Sequence, residues 1–147
     1  MRQRVKEGDV MEIQLDNWYY YALQLPYGIT RFLNFRSQDR ITNILSLNYD
    51  KYMFDVAVFT KDLASGVWKV IARNIPIPLN TPKYQYIHFE EHNPNIWELY
   101  NLESGEITTS SKEECMYLER CAVWPQWKIE ERIRHYFSNE DSKSKLD

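Results

Sequence analysis

The residues of this chain best suited to chemistry stand close together in HFEEH, His88 to His92. The spelling matches H-x-x-E-H, in which two histidines one helical turn apart hold zinc and a glutamate activates water. That chemistry requires a helix, because only there does a spacing of four return both imidazoles to one side. The surrounding sequence reads otherwise, since Tyr84 to Phe89 alternate with period two and Asn93-Pro94-Asn95 follows at once. On a strand His88, Glu90 and His92 share one face, yet a hydrolytic zinc site also needs a third protein ligand. Nothing downstream marks one, so the stretch reads as a polar strand end with an acidic edge, and no metal is expected.

Other catalytic patterns are missing. There is no G-x-S-x-G elbow, neither Cys115 nor Cys121 has a histidine placed by a local signature, and no Gly-rich phosphate loop occurs. The adjacent carboxylates Glu90-Glu91, Glu113-Glu114 and Glu130-Glu131 read as solvated surface. No catalytic residue and no cofactor are expected. In Trp18-Tyr19-Tyr20-Tyr21 a strand would send Trp18 and Tyr20 to one face and Tyr19 and Tyr21 to the other. One pair belongs to the core and the outward pair suits recognition. Glu90, Glu91, Tyr19 and Tyr21 are therefore the candidate partner-binding residues.

The elements that must position these residues are mostly strands. VMEIQL, Val10 to Leu15, alternates Met11, Ile13 and Leu15 against Glu12 and Gln14, a strand with one wet side. Asp16-Asn17 suits a tight turn into WYYYALQL, and Pro26 to Gly28 ends that second strand. TRFLNF from Thr30 is a third. Asp39 is placed to cap a short helix carrying Ile41, Ile44 and Leu45. MFDVAVFT, Met53 to Thr60, is the clearest strand, with Val67 to Arg73 as its meander or hairpin partner. IPIPLNTP carries too many prolines for an interior strand and should cross the surface extended. YQYIHFE, IWELYNL and EITTS form another antiparallel set. Ser111 to Glu114 spells a capping box, although CMYLERCAVW also suits a strand. After Pro125, the residues Ile129, Ile133, Tyr136 and Phe137 recur at helical spacing, with Glu130 set to pair with Arg134. Burying those four side chains would contribute about 1.5–3 kcal/mol each, enough to dock the helix on a sheet. The fold class expected is mainly β (α+β): a curved antiparallel sheet or partial barrel with a C-terminal amphipathic helix packed on it.

The 147 residues suit one domain over residues 1–138, followed by a polar, flexible tail at 139–147. Aromatics reach 15%, in keeping with wide pleated surfaces. A formal charge of -3 without a basic stripe argues against nucleic acid as the partner. The charged start MRQRVKEGD lacks the apolar run of a secretory signal, and no segment is apolar enough to span a membrane. A cytoplasmic protein is expected, whose two cysteines are buried or half-buried thiols.

Four stretches, GDVMEIQLDNWYYY, FDVAVF, GVWKVIAR and AVWPQWKIEERIRHYF, together resemble the immunity protein 26 family of bacterial polymorphic toxin systems. They span roughly residues 7 to 138, with matching positions at Gly8, Asp9, Ile13, Gly66, Trp68, Arg73, Ala122, Val123, Trp124 and Arg132. The chain departs from the family pattern at Asp16-Asn17, where glycine is common, and after the second-strand aromatics, where a small residue and an arginine are often seen. The resemblance implies a mostly β, non-enzymatic protein that binds and neutralises a cognate toxin. It carries over no catalytic or binding residues. Without it, the exposed aromatics suggest instead a module for carbohydrates or other small ligands.

Overall fold

The computed structural model describes residues 2–146, with side chains described over 2–139. In chain order the elements are β1 (Val10–Leu15), β2 (Trp18–Gln24), β3 (Ile29–Ser37), β4 (Tyr52–Val58), α1 (Thr60–Ala64), β5 (Lys69–Ala72), β6 (Tyr84–Ile87), β7 (Trp97–Asn101), β8 (Ile107–Ser110), α2 (Lys112–Cys115), β9 (Val123–Trp124) and α3 (Gln126–Leu146). The protein is mainly β, with a six-stranded sheet in the order β5-β1-β2-β3-β4-β9 and a three-stranded sheet in the order β6-β7-β8. Contacts gather the chain into two compact units, Pro78–Ala122 and the residues on either side of it.

In the flanking unit, β1 to β4 form an antiparallel meander. The β1–β2 turn works because Asp16 adopts φ 58°, which a short polar side chain tolerates. Register shifts in the β1–β5, β2–β3 and β3–β4 pairs bend the ladder, giving an open, curved sheet with a parallel β9 at one edge. One face carries the apolar core, in which Met11, Ile13, Tyr20, Ala22, Phe32, Phe54 and Val56 meet Trp68 and, from α3, Ile129 and Ile133. Phe137 follows along α3 and packs its ring 5.4 Å from that of Tyr20. The α3 N-terminus is held by Asp62 Oδ2, which accepts from the Gln126 amide at 2.9 Å. The polar tail expected at 139–147 lies, beyond Asn139, outside the residues whose side chains are described.

Several sequence expectations change. The strand β5 pairs with β1 and not with β4, so the stretch after MFDVAV crosses to the opposite sheet edge. The crossing contains the helix α1, whose start has no side-chain cap to announce it in the sequence and which buries Leu63. Tertiary contacts then pin β5: the Gln3 side chain accepts from the Val70 amide, and Arg73 pairs with Asp9 at 2.6 Å. No helix starts at Asp39 among the described residues, and a 3-10 turn at Ile44–Ser46 is capped by Asn43 instead. Ser111 does cap the helix, accepting from the Glu114 amide, while the Glu114 side chain accepts from Ser110 Oγ; CMYLERCAVW supplies both the end of that helix and the short β9. Arg134 pairs with Asp16 at 3.0 Å, while Glu130 accepts from the Trp68 indole.

The second face of the large sheet, expected to be wet, is covered. Residues 38–51 fold back over it, and the register sets Glu12 opposite Tyr21 and Arg31 opposite Asp55 on that face. Arg31 Nε and Nη2 donate to the two Asp55 carboxylate oxygens at 2.9 and 2.8 Å, and Nη1 donates to the Tyr49 carbonyl at 3.0 Å. The guanidinium also lies 4.0 Å over the Tyr52 ring. Tyr21 donates to Glu12 and accepts from the Ile41 amide, and Arg40 closes over Glu12 at 3.1 Å. Among the described residues no buried side-chain nitrogen or oxygen lacks a hydrogen-bond partner, which is what makes such a polar layer tolerable.

Candidate functional site

The two candidate pairs separate. Tyr21 is 0% exposed, so its place in an outward recognition pair is corrected: the covering segment turns that face inward and the phenol becomes part of the polar layer. Burial raises its pKa above the ordinary value, with the hydrogen bond from the Ile41 amide working against the shift. Tyr19 is half-buried, with Arg40 above its ring at 5.6 Å. The Trp18–Tyr21 run thus offers no open aromatic platform. Its two faces are both occupied, one by the core and one by residues 38–51.

Glu90 and Glu91 belong to the three-stranded unit, where they are exposed. The strand β6 ends at Ile87, and beyond it the Phe89 carbonyl accepts from the amides of His92 and Asn93, at 3.2 and 2.8 Å. This turn throws Glu90, Glu91 and His92 outward, so His88, Glu90 and His92 do not lie on one strand face. His88 is committed elsewhere. Its ring stacks on Trp97 at 3.7 Å and 10°, and its Nε2 lies 3.0 Å from the Pro94 carbonyl. Among the described residues no three His, Cys, Asp or Glu side chains are grouped so as to hold a metal ion.

Sequence reading missed Arg120. A parallel bridge sets it beside Tyr86, where the Tyr86 amide donates to Glu119 and the Cys121 amide to the Tyr86 carbonyl. Arg120 and the Phe89–His92 turn then line an open groove of about 560 Å³. The groove thus combines an apolar ring, two carboxylates, an imidazole and one guanidinium. No local signal joins residues so far apart in sequence. Of the two cysteines expected to be buried or half-buried, Cys115 is, packed against β7, whereas Cys121 is exposed.

Charge is distributed unevenly along the chain. Pro78–Ala122 holds eight glutamates against two lysines and one arginine, a formal −5, which leaves +2 for the flanking residues. The same unit exposes Tyr84, Phe89, Ile96, Ile107, Met116 and Tyr117. Large exposed apolar side chains on a strongly acidic frame suit contact with a protein surface that is itself basic and partly apolar.

The residues that carry the family resemblance play a different part. Gly8 adopts φ +86°, and a Cβ there would stand 3.1 Å from the Ile75 carbonyl oxygen, so any other residue would be strained. Asp9 pairs with Arg73, Trp68 lies in the core, and Arg132 sits 5.0 Å over Trp124. These positions hold the scaffold. No helix of the described chain is long and apolar enough to cross a membrane. No protein-family model, curated protein or solved structure matches the chain.

Proposed function

We propose that this chain is an immunity protein, which binds a cognate toxin of a polymorphic toxin system in the cytoplasm and neutralises it by covering its working surface. The observation that carries the reading is the concentration of negative charge, −5 within Pro78–Ala122, together with exposed apolar side chains on the same unit. A toxin domain that attacks nucleic acid must present a basic surface to phosphates. An acidic counter-surface raises the rate of encounter with such a domain and discriminates against other partners. The apolar residues would then supply the buried contacts on which residence time depends. Also in support, Asp9 and Arg73, two positions of the immunity protein 26 resemblance 64 residues apart, meet in an ion pair.

The chain needs no reactive group of its own for this role. Occlusion requires a rigid presenting surface, and the Phe89–His92 turn is held by its own backbone bonds and by the His88–Trp97 stack. The test is co-expression with the product of the neighbouring gene. A purified complex and protection of growth are expected; the absence of both would overturn the proposal.

A further inference from the structure

The three-stranded sheet has two edges, and its hydrogen-bond parity says which way each turns. The Asn101 amide donates to the Glu106 carbonyl at 2.9 Å and the Asn101 carbonyl accepts from the bulged Gly105 amide at 2.8 Å, so Asn101 opposite Glu106 is a hydrogen-bonded position. In an antiparallel ladder such pairs alternate, so Leu99 with Thr108 and Trp97 with Ser110 also bond to each other. Ile107 and Thr109 must then point their N–H and C=O groups away from β7. The same alternation predicts that Tyr84 and Tyr86 point outward on the opposite edge. There Tyr86 bonds to Glu119 and Cys121, as the parity requires.

The β6 edge is therefore covered by residues 119–121, whereas among the described residues nothing pairs with the outer edge of β8. All of Ile107, Thr108 and Thr109 are exposed. An open edge of β-branched residues is a template for another strand. Acidic side chains surround it: Glu106 precedes the strand, Glu98 stands directly across from Thr109, and Glu114 reaches Ser110 Oγ at 2.9 Å. This charge decides between occupants. A second copy would bring one −5 unit against another, whereas a strand bearing lysine or arginine would meet opposite charge.

We infer that the β8 edge is a strand-addition site, at which an extended cationic segment of the partner protein pairs with the backbone of Ile107 and Thr109. The inference rests on the reading of this chain as a toxin-binding protein, and it names how the partner is held. Backbone pairing would supply register, and the surrounding glutamates would select for basic side chains.

The test uses the whole chain and a nine-residue synthetic peptide alternating valine with lysine, titrated while backbone amides are followed by NMR. Expected are saturable shifts and slowed hydrogen exchange at the amides of Ile107 and Thr109. A peptide with glutamate in place of lysine should bind at least about tenfold more weakly, as should one N-methylated at alternate residues on its pairing edge. The N-methylated peptide leaves the protein unaltered, and Thr109→Pro should produce the same loss from the protein side. Shifts confined to the Phe89–Arg120 groove, equal binding of the N-methylated peptide, or concentration-dependent self-association through β8 would each overturn the inference. A toxin complex that forms while the peptide fails to bind would overturn the edge alone. Peptide binding at β8 with no toxin complex would overturn the immunity reading and leave the edge standing.

Discussion

Replacing Asp55 by asparagine removes one charge from a pair that water does not reach. The Arg31 and Asp55 side chains are 0% and 4% exposed and share two hydrogen bonds, at 2.9 and 2.8 Å. Asp55→Asn keeps the shape and one acceptor but takes from a buried guanidinium the counter-charge that Asp55 supplies, a change that costs about 3–5 kcal/mol. The Tyr49 carbonyl at 3.0 Å and the Tyr52 ring at 4.0 Å remain with Arg31, which places the expected loss at the lower end of that range. With a urea dependence of about 1–3 kcal/mol/M, a loss of about 3 kcal/mol lowers the unfolding midpoint by about 1–3 M. Tryptophan fluorescence is a suitable readout, because Trp68 is buried in the same unit with its ring 5.5 Å from Phe32. The double replacement Arg31→Met with Asp55→Leu should recover most of the loss, since well-packed apolar residues avoid the desolvation of both ions. A single variant within about 1 kcal/mol of the parent, together with a double variant no more stable than the single, would refute the reasoning.

Burial raises the Tyr49 phenol to about 12 and pushes Tyr20 and Tyr21 up as well. The folded state therefore holds protons that the unfolded chain releases near pH 10, so stability is intact below that pH and falls between about 10 and 12. Phenolate absorbance followed beside circular dichroism should show these tyrosines ionising with unfolding and not before it. Ile133→Ala should cost about 2–5 kcal/mol by thermal or urea unfolding, because Ile133 is buried where α3 docks on the sheet. Charge reversal at Glu90 and Glu91 should slow association with the toxin about tenfold or more at low salt, an effect that shrinks as salt rises in stopped-flow measurements. His92→Ala is the suitable control there, since His88→Ala would also remove the stack on Trp97.

Much of this protein is written locally. Met11, Ile13 and Leu15 alternate as a strand must, and they reach the core as the alternation says. Asp16 turns the hairpin through a left-handed backbone that its own short side chain permits. Ile129, Ile133 and Phe137 share a helical face, and that face docks. In each case the residues that make the signal are neighbours along the chain, so the physics of one element is enough. The exposure of Glu90 and Glu91 follows from the Asn93-Pro94-Asn95 break in the same way.

Partnerships across the chain were decided elsewhere. Alternation gives Glu12 and Tyr21 a face away from the core but not what lies over it, and residues 38–51 turn that face from wet to dry. Likewise β5 could pair wherever an edge was free, and Gln3 and Arg73 bring it to β1. Arg120 joins the Phe89–His92 groove only through the bridge to Tyr86. The open edge at Ile107 and Thr109 depends on hydrogen-bond parity across two strand pairs. Periodicity tells a side chain which way to point; what it meets there is set by chain closure and by the burial of backbone and charge, which act between residues that the sequence keeps far apart.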